Sequence, residues 1–155
     1  MNLEPDHHVF DLGDQTALVC VPASPCQKSI AAQLVALDYK VHLGLFEEDV
    51  LLKLATCNYN VVIIDENFKE AGADENVILR EMVKSSGALR REHFVVLLSQ
   101  RFATNDATSA FVMSVDQIIN FGDLANFKPV LRRGVAMHQD LYRPFLETIK
   151  VVQAL

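Results

Sequence analysis

The segment 60–65, with the sequence NVVIID, constrains the fold of this chain more than any other part of it. Its four consecutive β-branched residues are typical of a strand that is buried on both faces, as strands of parallel sheets are. Because the run ends in a carboxylate, it places Asp65 at the carboxyl edge of such a sheet, where open α/β folds hold their binding and catalytic groups. The sequence therefore predicts an α/β fold with an acidic group at its functional edge.

Strand-like and helical segments alternate from residue 17 to residue 137. The connections between the predicted strands exceed a dozen residues, which requires crossover helices, parallel strands and right-handed connections. We expect a three-layer α/β fold, a flavodoxin-like (βα)5 sandwich with the parallel sheet order 2-1-3-4-5. The predicted strands span residues 17–21, 40–45, 61–65, 93–99 and 116–120.

Three residues are predicted to cap helices in this alternation. Ser24 is expected to begin the first helix, with Pro25 at the first helical position and Gln27 closing a capping box. Thr104 is expected to cap a short helix before the fifth strand, and Asp123 to cap the last helix.

Charge and composition argue against several classes of function. The 155 residues carry a formal charge of −6, which disfavours binding to nucleic acid or to an anionic membrane. No apolar run approaches the ~20 residues of a membrane span, and the polar leader 1–16 has acidic residues but no Lys or Arg, unlike a signal peptide. Three cysteines without CxxC spacing are expected to be reduced thiols, so a cytoplasmic location is the default expectation.

The sequence lacks the motifs of several enzyme classes. It contains no GxGxxG, GxxxxGKS/T or GxSxG pattern. Its five histidines show no metal-ligand spacing, and those beyond the leader fall on separate predicted elements. We therefore do not expect this chain to be an enzyme.

Four fragments of the chain are informative together: residues 18–21 with the later Pro25, 61–67, 95–99 and 115–119. In their order and spacing they resemble the receiver domain of bacterial two-component response regulators. In that family a kinase phosphohistidine donates a phosphoryl group to an aspartate at the end of the third strand. The resemblance implies that Asp65 is at the phosphoacceptor position, that Ser99 is the switch hydroxyl, and that the main-chain carbonyl of Asn67 corresponds to a Mg²⁺ ligand. The resemblance covers about residues 17–137.

The chain departs from the receiver pattern where that family assists phosphoryl transfer. Pro22 and Ala23 replace the acidic pair, and neither has a side-chain oxygen for Mg²⁺. Phe121 replaces the lysine and Ile118 the switch aromatic. A carboxylate and a phosphoryl oxygen ~4 Å apart repel by about 4 kcal/mol at an effective dielectric of 20, so attack by Asp65 should be slower by orders of magnitude. We therefore expect no cofactor and no Mg²⁺ binding.

Two cations near this edge are candidates to replace the missing positive charge of Mg²⁺ and the receiver lysine. Lys69 replaces the proline of the loop after the phosphoacceptor, and Arg101 follows the fourth strand. Both are interpreted as solvated loop charges. Asp65 itself could serve only to cap the next loop by accepting backbone N–H bonds.

Three functions are compatible with these residues. The first is a degenerate receiver, or pseudo-receiver, that acts as a protein-interaction module in signal transduction without phosphorylation. The second is an atypical receiver that is still phosphorylated at Asp65. The third is a small flavodoxin-like enzyme or ligand-binding protein that uses the cleft beside Asp65 and Ser99, although an acid–base pair and a glycine-rich loop are missing.

Two surfaces are predicted to contact protein partners. In receivers the fourth helix, fifth strand and fifth helix form the usual partner face, to which Phe102, Phe111 and Phe127 are assigned here, with burial in the core as the alternative. The second surface is the segment 138–155, a helical extension that Pro144 should kink or restart. We expect this extension to form a homodimer, the alternative being that it folds back on its own domain. Its apolar contact residues would be Leu141, Phe145, Ile149 and Val152.

Overall fold

The computed structural model describes residues 13–68, 76–84 and 93–154. Most of the leader and Lys69 lie outside these ranges. Five parallel strands form one sheet in the order β2-β1-β3-β4-β5, which confirms the predicted topology. The strands are β1 (Thr16–Cys20), β2 (Lys40–Leu43), β3 (Val61–Asp65), β4 (Phe94–Ser99) and β5 (Gln117–Asn120).

The three central strands are buried along their whole length. Every residue of β1, β3 and β4 is buried, which explains why their sequences are nearly continuous apolar runs. The register pairs Cys20 with Ile64 and Asp65 with Leu98, so the carboxyl ends of these strands lie at one edge of the sheet. The loops that follow them therefore meet there.

Helices cover both faces of the sheet. One core cluster joins alternate strand residues to Val50, Ile78 and Ala110, and the other joins the remaining strand residues to Leu34 and Leu131. The result is the three-layer arrangement that the sequence predicts. The helices are α1 (Pro25–Ala36), α2 (Glu47–Thr56), α3 (Val77–Lys84), α4 (Ala107–Met113) and α5 (Phe127–Ala154), and a 3-10 helix (Phe121–Asn126) precedes α5.

The first predicted helix cap is partly confirmed. Ser24 caps α1 by accepting a hydrogen bond from the N–H of Gln27 at 3.2 Å. The side chain of Gln27 does not return to Ser24 but donates to the carbonyl of Val21 at 3.1 Å. The capping box is therefore replaced by a contact that ties α1 to the end of β1.

The other two predicted caps were wrong. Asp106 rather than Thr104 caps α4, because its carboxylate accepts the N–H of Ser109 at 3.0 Å. Thr104 instead donates its hydroxyl to Asp123, which lies within the 3-10 helix. That helix starts at once after β5 because the side chain of Asn120 satisfies its first turn.

The last helix is longer than the domain requires. α5 has 28 residues, or about 42 Å at 1.5 Å per residue, and it continues through Pro144. Of the two effects predicted for this proline, a kink or a restart, the restart does not occur, and the kink stays a prediction. Pro144 and Asp140 are both exposed, so water can satisfy the Asp140 carbonyl that loses its N–H partner. Within the described ranges, no helix is both long and apolar enough to span a membrane, and α5 is included in that finding.

Gly134 allows α5 to approach β5 closely. A Cβ atom at this position would lie 2.7 Å from both side-chain polar atoms of Gln117. Gln117 is buried and cannot move freely, because its amide nitrogen donates to Asn105 at 2.8 Å and to the carbonyl of Val130 at 3.1 Å. Any side chain at this position would therefore separate the helix from the sheet or break these bonds.

The Gly134→Ala variant should be less stable than the parent. Alanine gains about 1 kcal/mol of helix propensity, but overpacking against Gln117 should cost about 1–3 kcal/mol, so the net change is destabilising. In a Gln117→Ala background the contact is gone, and Gly134→Ala should then stabilise. Urea unfolding of the four proteins measures both steps. Equal stabilisation in the two backgrounds would contradict the close packing of Gly134 against Gln117.

Candidate functional site

Asp65 is a buried carboxylate at the end of β3. One of its oxygens accepts the N–H of Asn67 at 2.9 Å, so it caps the turn that follows the strand. Burial raises the pKa of the Asp65 carboxyl above its ordinary value; the Asn67 N–H partly lowers it, and the charge of Glu66 raises it. Asp65 is therefore a more basic carboxylate than one exposed to water.

The loop after β1 offers Asp65 no carboxylate partner. Pro22 and Ala23 are exposed, and neither has a side-chain oxygen. The hydroxyl of Ser24 donates to the carbonyl of Pro22 at 2.9 Å while it accepts the N–H of Gln27. In the described part of the chain, no three His, Cys, Asp or Glu side chains are grouped so that they could hold a metal ion.

Ser99 ends β4 beside Asp65 and is fully buried. Its hydroxyl donates to the carboxylate of Glu66 at 3.0 Å. The same oxygen accepts the N–H groups of Arg101 at 3.0 Å and Phe102 at 3.1 Å. The predicted switch hydroxyl is therefore engaged on both its donor and its acceptor side.

Glu66 is the residue of this site that the sequence analysis missed. Besides the Ser99 hydroxyl, its carboxylate accepts the N–H of Gln100 at 3.1 Å and the side-chain N–H of Arg101 at 3.3 Å. Its side chain is 10% exposed, whereas that of Arg101 is 64% exposed. An acidic residue directly after a strand that ends in another acid was the available signal. Its contact with the neighbouring strand end required the β3–β4 register.

The other predicted site residues are distributed over core and surface. Ile118 is buried in β5, and Phe121, the predicted counterpart of the receiver lysine, is half-buried against the core cluster that α1 and α5 cover. Phe102 is also half-buried against the core, and Phe127 is fully buried, so its assignment to a partner face was wrong. Phe111 on α4 is 85% exposed.

The architecture has counterparts among solved structures. A structure from Chloroflexus aurantiacus, described as a response regulator, is 12% identical and aligns 79% of this chain with 98% of its own at a TM-score of 0.64. A CheY-like response regulator receiver domain protein from Methanospirillum hungatei is 11% identical and aligns 82% of this chain with 98% of its own at a TM-score of 0.60. The chain has the fold of a response regulator receiver domain.

A third similar structure reaches further along the chain. It is a fusion that contains a yeast trimeric coiled-coil segment, and it aligns 94% of this chain with 93% of its own at 19% identity and a TM-score of 0.60. No protein-family model and no curated protein matches the chain. Because the identities are so low, these comparisons establish the receiver fold and leave the roles of single residues as predictions.

Two predicted positions of the receiver domain lie at neighbouring strand ends. Asp65 closes β3 and Ser99 closes β4, and these strands pair directly. The loop with Pro22 and Ala23 follows β1, the other neighbour of β3. The assignment of Asp65 as phosphoacceptor and of Ser99 as switch stays a prediction.

Neutralising Asp65 should stabilise the protein near pH 7. Because its folded pKa is raised, the folded state favours the protonated acid, and stability is lost as the pH rises from the ordinary Asp pKa of about 3.9 through the folded pKa. The Asp65→Asn variant keeps an acceptor for Asn67 and should melt a few degrees above the parent at neutral pH. The difference should shrink towards about pH 4.

Thermal melts across this pH range test the effect of Asp65. The control Glu147→Gln removes an exposed carboxylate on α5 and should show no comparable gain. A gain that stays constant at all pH values would show that the carboxyl charge is not its cause.

Proposed function

We propose that this protein is a pseudo-receiver: a protein-interaction module in signal transduction whose output does not depend on Mg²⁺-assisted phosphorylation. The observation that carries the proposal is the loop after β1, where Pro22 and Ala23, the residues that the resemblance assigns to the receiver acidic pair, are exposed and have no side-chain oxygen. Mg²⁺ takes oxygen ligands, usually including one or two carboxylates. The one hydroxyl there, Ser24, already caps α1.

The charge balance around Asp65 supports the same proposal. Phosphoryl transfer depends on positioning the donor and neutralising its oxygens. Here Asp65 is adjacent to a second acid, Glu66, and the nearby cation Arg101 is bound to Glu66 at 3.3 Å. Phe121, which the resemblance assigns to the lysine position, is packed against the core. A phosphoryl donor would therefore approach an acidic pair with little compensating charge.

Restoring the receiver side chains should create a response that the parent lacks. We expect Mg²⁺ with beryllofluoride to leave the melting temperature of the parent unchanged. It should raise that of the triple variant Pro22→Asp, Ala23→Asp, Phe121→Lys, which supplies the missing carboxylates and cation. The triple variant should also take up phosphate from acetyl phosphate. The matched control Pro22→Asn, Ala23→Asn, Phe121→Gln changes the same positions without adding charge and should not respond.

The parent protein provides the decisive comparison. A saturable Mg²⁺-dependent shift in the parent that Asp65→Ala abolishes would favour an atypical receiver phosphorylated at Asp65. Equal phosphate uptake by the parent and the triple variant would lead to the same conclusion.

The C-terminal part of α5 carries a second part of the proposal, a homodimer contact. Leu141 is 72% exposed and Val152 is 62% exposed, and Met137 one turn earlier is also exposed. Ile149 is half-buried, and the side chain of Phe145 lies outside the described ones. Each large apolar side chain left in water forgoes about 1.5–3 kcal/mol. A second copy packed along this stripe, related by a twofold axis, would recover that energy.

The similar fusion structure supports a helical contact of this kind. That protein contains a trimeric coiled-coil segment, and it aligns with more of this chain than the two receiver structures do. The part of α5 beyond Met137, residues 138–154, is long enough for about two heptads of a coiled coil. We propose two copies rather than three, because twofold dimers are the commonest symmetric assemblies of identical chains.

Light scattering should find a dimer for the full chain and a monomer for a chain cut after Met137. The double variant Leu141→Asn, Val152→Asn should also be monomeric, because it makes the stripe polar. The control Glu147→Asn, Lys150→Asn introduces the same residues on the opposite side of α5, leaves the net charge unchanged and should remain dimeric. A monomeric parent, or a dimer that survives the cut, would remove the extension as the contact.

A further inference from the structure

We propose that Glu66 acts as an internal, permanent substitute for the phosphoryl group and holds the loop 100–106 in a single conformation. This inference rests on the proposed function and adds how the site is regulated. In receivers the switch hydroxyl hydrogen-bonds the phosphoryl group and moves on activation. Here the corresponding hydroxyl, that of Ser99, already donates to the Glu66 carboxylate at 3.0 Å.

The surroundings of Glu66 are those of a bound anion. Its two oxygens accept a hydroxyl, the backbone N–H of Gln100 and the guanidinium N–H of Arg101. Hydrogen bonds with ionised partners are stronger than neutral ones, more so where water is largely excluded, and this carboxylate is 10% exposed. Glu66 therefore supplies a fixed negative charge without a kinase, a metal or a covalent step.

The effect of Glu66 extends beyond its own contacts through the loop. Ser99 accepts the N–H of Phe102, and the carbonyl of Phe102 accepts the side chain of Asn120 at 2.8 Å. Asn120 in turn accepts the N–H of Gly122 at 2.8 Å and so starts the 3-10 helix that leads into α5. One chain of hydrogen bonds thus connects Glu66 at the end of β3 with the segment that enters the last helix.

A simple capping role would predict a different result from this coupling. If Glu66 only caps the loop, its removal should loosen the N–H groups next to it, those of Gln100 and Arg101. If it holds the conformation of the whole connection, the N–H of Gly122 should loosen as well, although Gly122 does not touch Glu66. Backbone hydrogen exchange in the native protein distinguishes these two outcomes residue by residue.

The experiment compares Glu66→Ala, Glu66→Gln and Ser99→Ala with the control Glu48→Ala, which removes an exposed acid on α2. We expect Glu66→Ala and Ser99→Ala to speed exchange at residues 100–102 and at Gly122 by about tenfold or more, which corresponds to about 1.4 kcal/mol or more. The isosteric Glu66→Gln, which keeps one acceptor oxygen, should show a smaller increase at the same positions. Glu48→Ala should change none of them.

Two outcomes would overturn the proposal. One is unchanged exchange at residues 100–102 in both Glu66 variants, and the other is a change confined to residues 100–102 that leaves the exchange of Gly122 unaffected. Slow hydrogen exchange of the backbone amides in β1 and β3 serves as the check that a variant is folded. If Glu66→Ala does not fold, Glu66→Gln is the variant used for the test. Because no Mg²⁺ or phosphoryl donor is used, a failure here is separate from a failure of the phosphorylation-independent function.

Discussion

Burial of the three central strands on both faces is the constraint on which the rest of this structure depends. Strands as apolar as β1, β3 and β4 can only be stable between two helical layers, and helical crossovers on both faces require the strands to run parallel. Parallel strands end at one edge, so residues that are distant in sequence meet there. Asp65, Ser99 and the loop with Pro22 become neighbours for this reason rather than through attraction between them.

This constraint also explains how much could be predicted from the sequence. The parallel sheet follows from long helical connections between the strands, and its order is that of the flavodoxin-like fold. The positions of Asp65 and Ser99 follow from where apolar runs end, because a run cannot shift without exposing its apolar side chains. Helix starts are less constrained, because Thr104 and Asp106 both offer a capping oxygen within three residues and small differences in loop geometry decide between them. Phe127 was misassigned because an aromatic residue in the first turn of a helix can face either the core or the solvent, and periodicity at the end of a segment does not tell which.

The sequence pattern of β3 does not predict the contacts of Glu66. A residue just after a strand has left the regular alternation of the two faces, so its direction depends on the loop that it meets. In this protein two adjacent acids have separate surroundings: Asp65 is buried and caps its own turn, whereas Glu66 reaches across to the end of β4 and pairs with Arg101. Only the alignment of β3 with β4 makes that difference visible.

The direction of the apolar stripe on α5 relative to the sheet depends on the number of residues in the helix rather than on their chemistry. The first half of the helix is fixed to the sheet through Gly134 and Leu131, so the direction in which Leu141 and Val152 point is set by how many residues separate them from that anchor. Each residue turns an α-helix by about 100°, since a full turn takes about 3.6 residues. One residue inserted between Gly134 and Leu141 would rotate the apolar stripe by about 100° around the helix axis, with almost no change in composition. The number of residues between the anchor and the stripe therefore sets the orientation of any molecule that packs against the far end of α5.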